Sequence, residues 1–137
     1  MVGTSETRGI QLNTQLANGA IAGFVYFIAA LVLMHLVRPD YTPIDHMISD
    51  YAVGSGGWIM TTAFVALAAG CLTLAMAMLR VGPASWSARA GTALLMVAGV
   101  GLVVTAIFPT DLETAPTTPT GDIHTLSFRV NVASVML

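Results

Sequence analysis

Long apolar runs alternate with short polar stretches along this chain. Three of them, residues 19–37, 58–79 and 90–108, are each near the ~20 residues a helix needs to cross ~30 Å of hydrocarbon. Three full transmembrane helices are therefore predicted. A fourth apolar stretch, residues 123–137, covers only ~22 Å at ~1.5 Å per residue, and neither a charged residue nor a Gly or Pro stop follows it. The expected fold is all-α, an integral membrane helical bundle of three full spans and a truncated fourth. Residues 1–18 read as a polar cytoplasmic tail and residues 19–137 as the transmembrane domain.

The polar stretches predict the orientation. Arginines in short connections stay on the cytoplasmic side, whereas acidic residues have little influence. The tail carries Arg8 and the second connection Arg80 and Arg89; the first connection has only Arg38 and the third none. The N-terminus is thus expected inside a bacterial plasma membrane. Asp40, Asp45, Asp50, Asp111, Glu113 and Asp122 then share the outer face with His35, His46 and His124. The tail lacks a basic region directly before a short apolar run, so an uncleaved first helix is expected rather than a signal peptide.

Within the first connection, Thr42-Pro43-Ile44-Asp45 has an N-cap Thr, Pro at the first helical position and Asp at the capping-box position, and Gly54 supplies a stop. A short interfacial helix from Pro43 to Val53 is predicted. At 100° per residue, Ile44, Met47, Ile48 and Tyr51 would share one face and His46, Ser49 and Asp50 the other. The run Gly54-Ser55-Gly56-Gly57 then reads as a flexible joint, without the pattern of a phosphate-binding loop. In the third connection, Asp122 is the expected N-cap of the fourth helix. His124 and Ser127 follow on one face. Arg129, about two turns further on, needs a lipid phosphate, a carboxylate such as Asp50 or Asp111, or water.

Composition removes several classes of function. The chain is 55% hydrophobic and 9% charged, far from the roughly 25% charged of a soluble domain. It contains no lysine and has a net charge of −2, which gives no footprint for nucleic acid. Cys71 is the only cysteine, so no disulfide or Cys-based metal site forms within the chain. Haem, flavin and nucleotide fingerprints are absent, and no charge besides Arg129 lies within a span to serve an ion path. The GxxxG pattern Gly19–Gly23 and the small-xxx-small pattern Ala66–Gly70 allow close helix approach; intramolecular packing is the simpler reading, and the oligomeric state stays open.

The segments His46-Met47-Ile48-Ser49-Asp50-Tyr51-Ala52-Val53, Gly57-Trp58-Ile59-Met60 with Phe64, Ile107-Phe108-Pro109-Thr110-Asp111 and Gly121-Asp122-Ile123-His124 resemble the core of a bacterial and archaeal multi-pass membrane family, domain of unknown function 998. The resemblance implies further membrane helices but no activity. It groups His46, Ser49, Asp50, Asp111 and His124, the residues that the orientation places at one end of the bundle.

Three readings of that group stay open. It ties the outer loops to the helices, since polar groups near lipid need protein partners. Or Arg129 and His124 hold the anionic headgroup of an outer-leaflet lipid, with Tyr51 and Trp58 in the interfacial belt. Or His46, Asp111 and His124, with His35 as a third imidazole, bind zinc, and His46, Ser49, Asp50, Asp111 and His124 hydrolyse lipid, by analogy of residue types with alkaline ceramidases. Neither HxxxH nor HExxH occurs. No cofactor is expected except, on that last reading, zinc.

Overall fold

The computed structural model describes residues 3–42 and 44–137, without the side chains of Thr4 and Ser5. It is all helical: α1 (Gly3–Val37), a 3-10 turn η1 (Ile48–Ala52), α2 (Gly57–Val81), α3 (Trp86–Ile107) and α4 (Pro119–Met136). Three helices, α1 to α3, are long and apolar enough to span a membrane. From Trp58 to Arg80, α2 rises ~33 Å, which matches the hydrocarbon thickness with an aromatic residue at one end and an arginine at the other.

Each helix packs antiparallel on the next in the chain. Along α1–α2 the register runs through Asn13 with Arg80 (2.9 Å), Gly19 with Thr73, Gly23 with Ala66 and Gly70, and Tyr26 with Thr62 (3.0 Å). The predicted tail is therefore helical from Gly3, and part of it lies along α2 rather than forming a separate segment. A Cβ on Gly23 would fall on the Ala66 carbonyl oxygen, and one on Gly70 would meet the Ala20 carbonyl at 3.2 Å. The two small-residue patterns thus face each other inside one chain, where bare backbone lets the helices touch.

The core lies towards the C-terminal end of α1 and the N-terminal end of α2. Ala30, Met34, Tyr51, Met60, Ala63 and Phe64 form one buried cluster, with Phe27, Leu31, Leu102 and Ala106 packed around it. Tyr51 is 1% exposed and comes from the first connection, so this loop is part of the core and not a strap over it.

The remaining boundaries depart from expectation in two places. Among the described residues 44–53 the predicted α-helix does not form. Thr42 does cap a turn, donating to the Asp45 carboxylate (2.7 Å) and accepting from its backbone N–H (3.3 Å), but Met47 is extended (φ −78°, ψ 154°) and ends it. Asp50 then accepts the Met47 N–H at 2.7 Å and starts the 3-10 turn afresh. Pro43 lies outside the described residues. Helical spacing consequently misplaces Tyr51, which turns inward while Ile44, Met47 and Ile48 stay exposed.

The second departure is at α4, which begins at Pro119, one turn earlier than predicted. Thr118, not Asp122, is the N-cap: its hydroxyl accepts from the Gly121 N–H (3.1 Å), and Pro119 follows at the position where a missing N–H costs nothing. Asp122 sits in the first turn, where its charge still complements the helix dipole.

Candidate functional site

The end of the bundle that bears the first and third connections carries two polar knots. The first is centred on Arg38, one residue beyond α1. Its guanidinium makes a forked pair with Asp40 (2.8 to 3.1 Å), donates to the Val53 and Ser55 carbonyls (3.0 and 3.2 Å) and lies 4.3 Å over the Tyr41 ring. The fork holds the Asp40 carboxyl below the usual carboxylate range. Because Arg38 grips both ends of the 53–55 segment, the Gly-rich joint is a fixed turn. Gly54 and Gly56 adopt φ of +80° and +76°, conformations that side chains rarely tolerate.

Rings stack outward from this clamp. His35 lies 5.0 Å from Tyr51, Tyr51 5.4 Å from Tyr41 and Tyr41 4.5 Å from His46, the last two edge-on. The Tyr51 hydroxyl donates to the Tyr41 carbonyl at 3.3 Å. His46 Nδ1 accepts the Thr42 backbone N–H at 3.3 Å, which requires a bare lone pair on that nitrogen. Ser49 and Asp50 are buried in η1 beneath the stack. Burial pushes the Asp50 carboxyl up, against the Met47 N–H that lowers it, and the neighbouring Glu113 carboxyl adds to the rise.

The second knot joins α3 to α4. Asp111 accepts from the Thr118 backbone N–H (2.6 Å) and hydroxyl (2.9 Å), and its carboxylate lies against the Cα of Gly121, leaving no room for a side chain there. His124 is 4% exposed, and its Nδ1 sits 2.7 Å from the Phe108 carbonyl at the end of α3. A carbonyl only accepts, so Nδ1 carries the proton. His35 is held in the same way by Leu31 O at 2.8 Å.

The expected site residues thus divide. His46, Ser49 and Asp50 join the first knot with His35, and Asp111 and His124 form the second. Among the described residues no three His, Cys, Asp or Glu side chains converge as a metal ion would need. Arg129 is exposed on α4 and joins neither carboxylate: Asp50 bonds Met47, Asp111 bonds Thr118, and the one ion pair among the described residues is Arg38–Asp40. His124 faces α3, whereas Arg129 lies about 140° further round the helix, so one headgroup does not meet both.

Comparison with known proteins adds one finding. A family described as Protein of unknown function (DUF998) matches residues 21–137. The chain belongs to that family. Neither a curated protein nor a solved structure matches. The matched span holds the four segments that carry the resemblance and both knots. With its three spanning helices, the chain is a DUF998 membrane protein whose family description carries no activity.

Sequence reasoning passed over three of the groups that matter in this DUF998 chain. Arg38 counted only as a charge, although an arginine followed two residues later by an aspartate and then a tyrosine is a usable sign of a local fork and stack. Glu113 was grouped with the other acids. Asn131 was not singled out, yet it belongs to a hydrogen-bonded seam along α4. Asn131 Nδ2 donates to Thr105 Oγ1 (3.4 Å), Thr105 Oγ1 meets Ser127 Oγ (3.1 Å), and Ser127 donates to the Gly101 carbonyl (2.6 Å). The final carbonyl fixes the direction of all three bonds. His124, Ser127 and Asn131 recur every three to four residues, which is the helical signal that would have revealed the seam.

Proposed function

We propose that this chain is a multi-pass protein of a bacterial plasma membrane, N-terminus in the cytoplasm, whose outer polar groups tie its connections to its helices. On this reading Arg129 carries the contact with lipid, at the phosphate of an outer-leaflet headgroup.

The tie rests chiefly on Asp111. Its two oxygens take the Thr118 N–H and hydroxyl, so a carboxylate from the start of the third connection holds the residue that caps α4. The lipid contact rests on depth. Thr105 pairs with Ser127 and Gly101 lies against Asn131, so Arg129 is level with about residue 103 of α3. That is only ~7 Å below the end of α3, and a helical side chain leans towards the N-terminus of its helix, here outward. A long arginine covers that distance, with its stem in hydrocarbon and its head at the phosphates.

Native mass spectrometry of the purified chain, with metal analysis of the same sample, tests both parts. Co-purifying phospholipid retained in Arg129→Lys and lost in Arg129→Ala is the expected result, because snorkelling needs a charge on a long stem and not a planar fork. Equal lipid retention in the alanine variant contradicts the headgroup contact. Stoichiometric zinc that departs on His124→Ala contradicts the structural role of the outer knots.

A further inference from the structure

Helix α4 carries polar side chains on two opposite faces. On the face towards α3, His124, Ser127 and Asn131 bond the Phe108 carbonyl, the Gly101 carbonyl and Thr105. At about 100° per residue, Asp122, Thr125 and Arg129 fall within about 60° of one another on the far side, and all three are exposed. The one ion pair among the described residues is Arg38–Asp40, so Asp122 and Arg129 are not paired with each other. Charges on a face turned to lipid are costly unless something answers them, and here both signs need an answer.

The order of the two charges along the helix points to what covers them. Asp122 stands in the first turn of α4, and Arg129 lies about 10 Å deeper. A phospholipid with an aminoethanol headgroup has the same order. Its phosphate joins the glycerol on the membrane side, and its ammonium lies two methylenes further out. Arg129, whose stem leans towards the helix N-terminus, rises to the phosphate, Thr125 lies on the way, and the Asp122 carboxylate is placed for the ammonium. We propose that the far face of α4 binds a zwitterionic phospholipid with a primary amine, of the phosphatidylethanolamine class; this rests on the reading that Arg129 meets a lipid phosphate.

A groove beside the stripe suits the lipid's tail. It encloses about 420 Å³ between α3 and α4, walled by Val97, Val100 and Val104 on one side and Ile123, Leu126 and Val130 on the other. Leu126 stands about 40° from Asp122 and about 60° from Arg129, so groove and stripe share an edge. From Ile123 to Val130 the groove descends ~10 Å along α4, the direction an acyl chain takes from its headgroup. Other covers fit the charges less well. A second copy related by a two-fold axis along the membrane normal would set Arg129 against Arg129 and Asp122 against Asp122. A phosphatidylglycerol headgroup brings no cation to Asp122, and a choline headgroup brings one without an N–H to donate.

Native mass spectrometry of the full-length chain, released from nanodiscs of equal parts phosphatidylethanolamine, phosphatidylglycerol and phosphatidylcholine, tests the proposal. Bound phosphatidylethanolamine should exceed bound phosphatidylglycerol about threefold, the scale of one exposed ion pair. Asp122→Asn should return that ratio to the nanodisc composition while total bound lipid is kept, because Thr118 and not Asp122 caps α4. Asp122→Glu should keep the preference. Bound lipid at the nanodisc ratio in the native chain, or an unchanged preference in Asp122→Asn, overturns the aminolipid site; the phosphate contact then stands on its own wherever Arg129→Ala sheds lipid of every class. Lipid fully retained in Arg129→Ala overturns both. A lipid-free dimer that Arg129→Ala dissociates gives the face to a second copy and overturns the proposal as well.

Discussion

The α1–α2 and α3–α4 contacts solve one problem in different ways. Lipid tails are as apolar as leucine, so burying apolar side chains gives no net drive for two spans to associate. Between α1 and α2 the answer is shape: Gly23 lies on the Ala66 carbonyl and on Gly70, and the aromatic and methionine core fills in beyond. Between α3 and α4 it is hydrogen bonding, through Gly101, Thr105, Ser127 and Asn131, capped by His124 on Phe108. A contact made by shape should fail when atoms are added. One made by hydrogen bonds should fail by smaller steps, as partners are removed.

The largest effect is therefore expected at Gly23. Gly23→Val puts a branched side chain onto backbone that cannot step aside, and about 3 kcal/mol of stability should be lost in reversible unfolding of the detergent-solubilised chain. A near-silent Gly23→Val would show that α1 and α2 do not touch there.

Next comes the clamp that closes the same pair at its connecting loop. Arg38→Lys keeps the charge but loses the fork to Asp40 and the two carbonyl bonds, which should cost about 2 kcal/mol. Hydrogen exchange should quicken in residues 53–57 and stay unchanged in α4. Equal exchange in both variants of the loop would mean that Arg38 holds nothing.

The α3–α4 contact should respond more mildly. A Cβ on Gly101 meets only the end of the Asn131 side chain, which can rotate away, so Gly101→Ala should cost about 1 kcal/mol. Adding Asn131→Ala should recover part of that loss, and strict additivity of the two would break the proposed contact. Ser127→Ala removes the central link of the seam and should cost about 0.6 kcal/mol, typical of one hydrogen bond between membrane helices.

These two contacts were not equally legible in the sequence. Gly19–Gly23 and Ala66–Gly70 announce close approach, and hydrophobic run length finds α2, α3 and the C-terminal half of α1, though not the polar first turns from Gly3. The α3–α4 seam is quieter because a serine, a threonine and an asparagine scattered over two helices carry little signal until the helices are paired. The same Thr-Pro pattern gives opposite outcomes: at Thr118-Pro119 it opens α4, whereas at Thr42-Pro43 the turn it caps stops at Met47, where the Asp50 carboxylate captures the backbone N–H. Both threonine hydroxyls accept the N–H three residues on; the Asp50 carboxylate on the Met47 N–H, with Tyr51 turned into the core beside it, is what sets the first connection apart. Of the outer polar residues, the shared end of the bundle could be read from their positions between spans. Their division into two knots could not, because His46, Asp111 and His124 find partners through backbone carbonyls and N–H groups that no side-chain pattern encodes.

The proposed topology puts the bundle across the membrane with both polar connections outside. Single cysteines at Ser55, Ser85 and Thr117, in chain lacking Cys71, report that directly in intact cells treated with a membrane-impermeant maleimide. On the proposed topology Ser55→Cys and Thr117→Cys should be labelled and Ser85→Cys only after the membrane is opened, because arginines in short connections favour the inside and Arg80 and Arg89 flank the α2–α3 turn. Labelling of Ser85→Cys alone in intact cells would invert the protein and contradict the outer-leaflet account of Arg129.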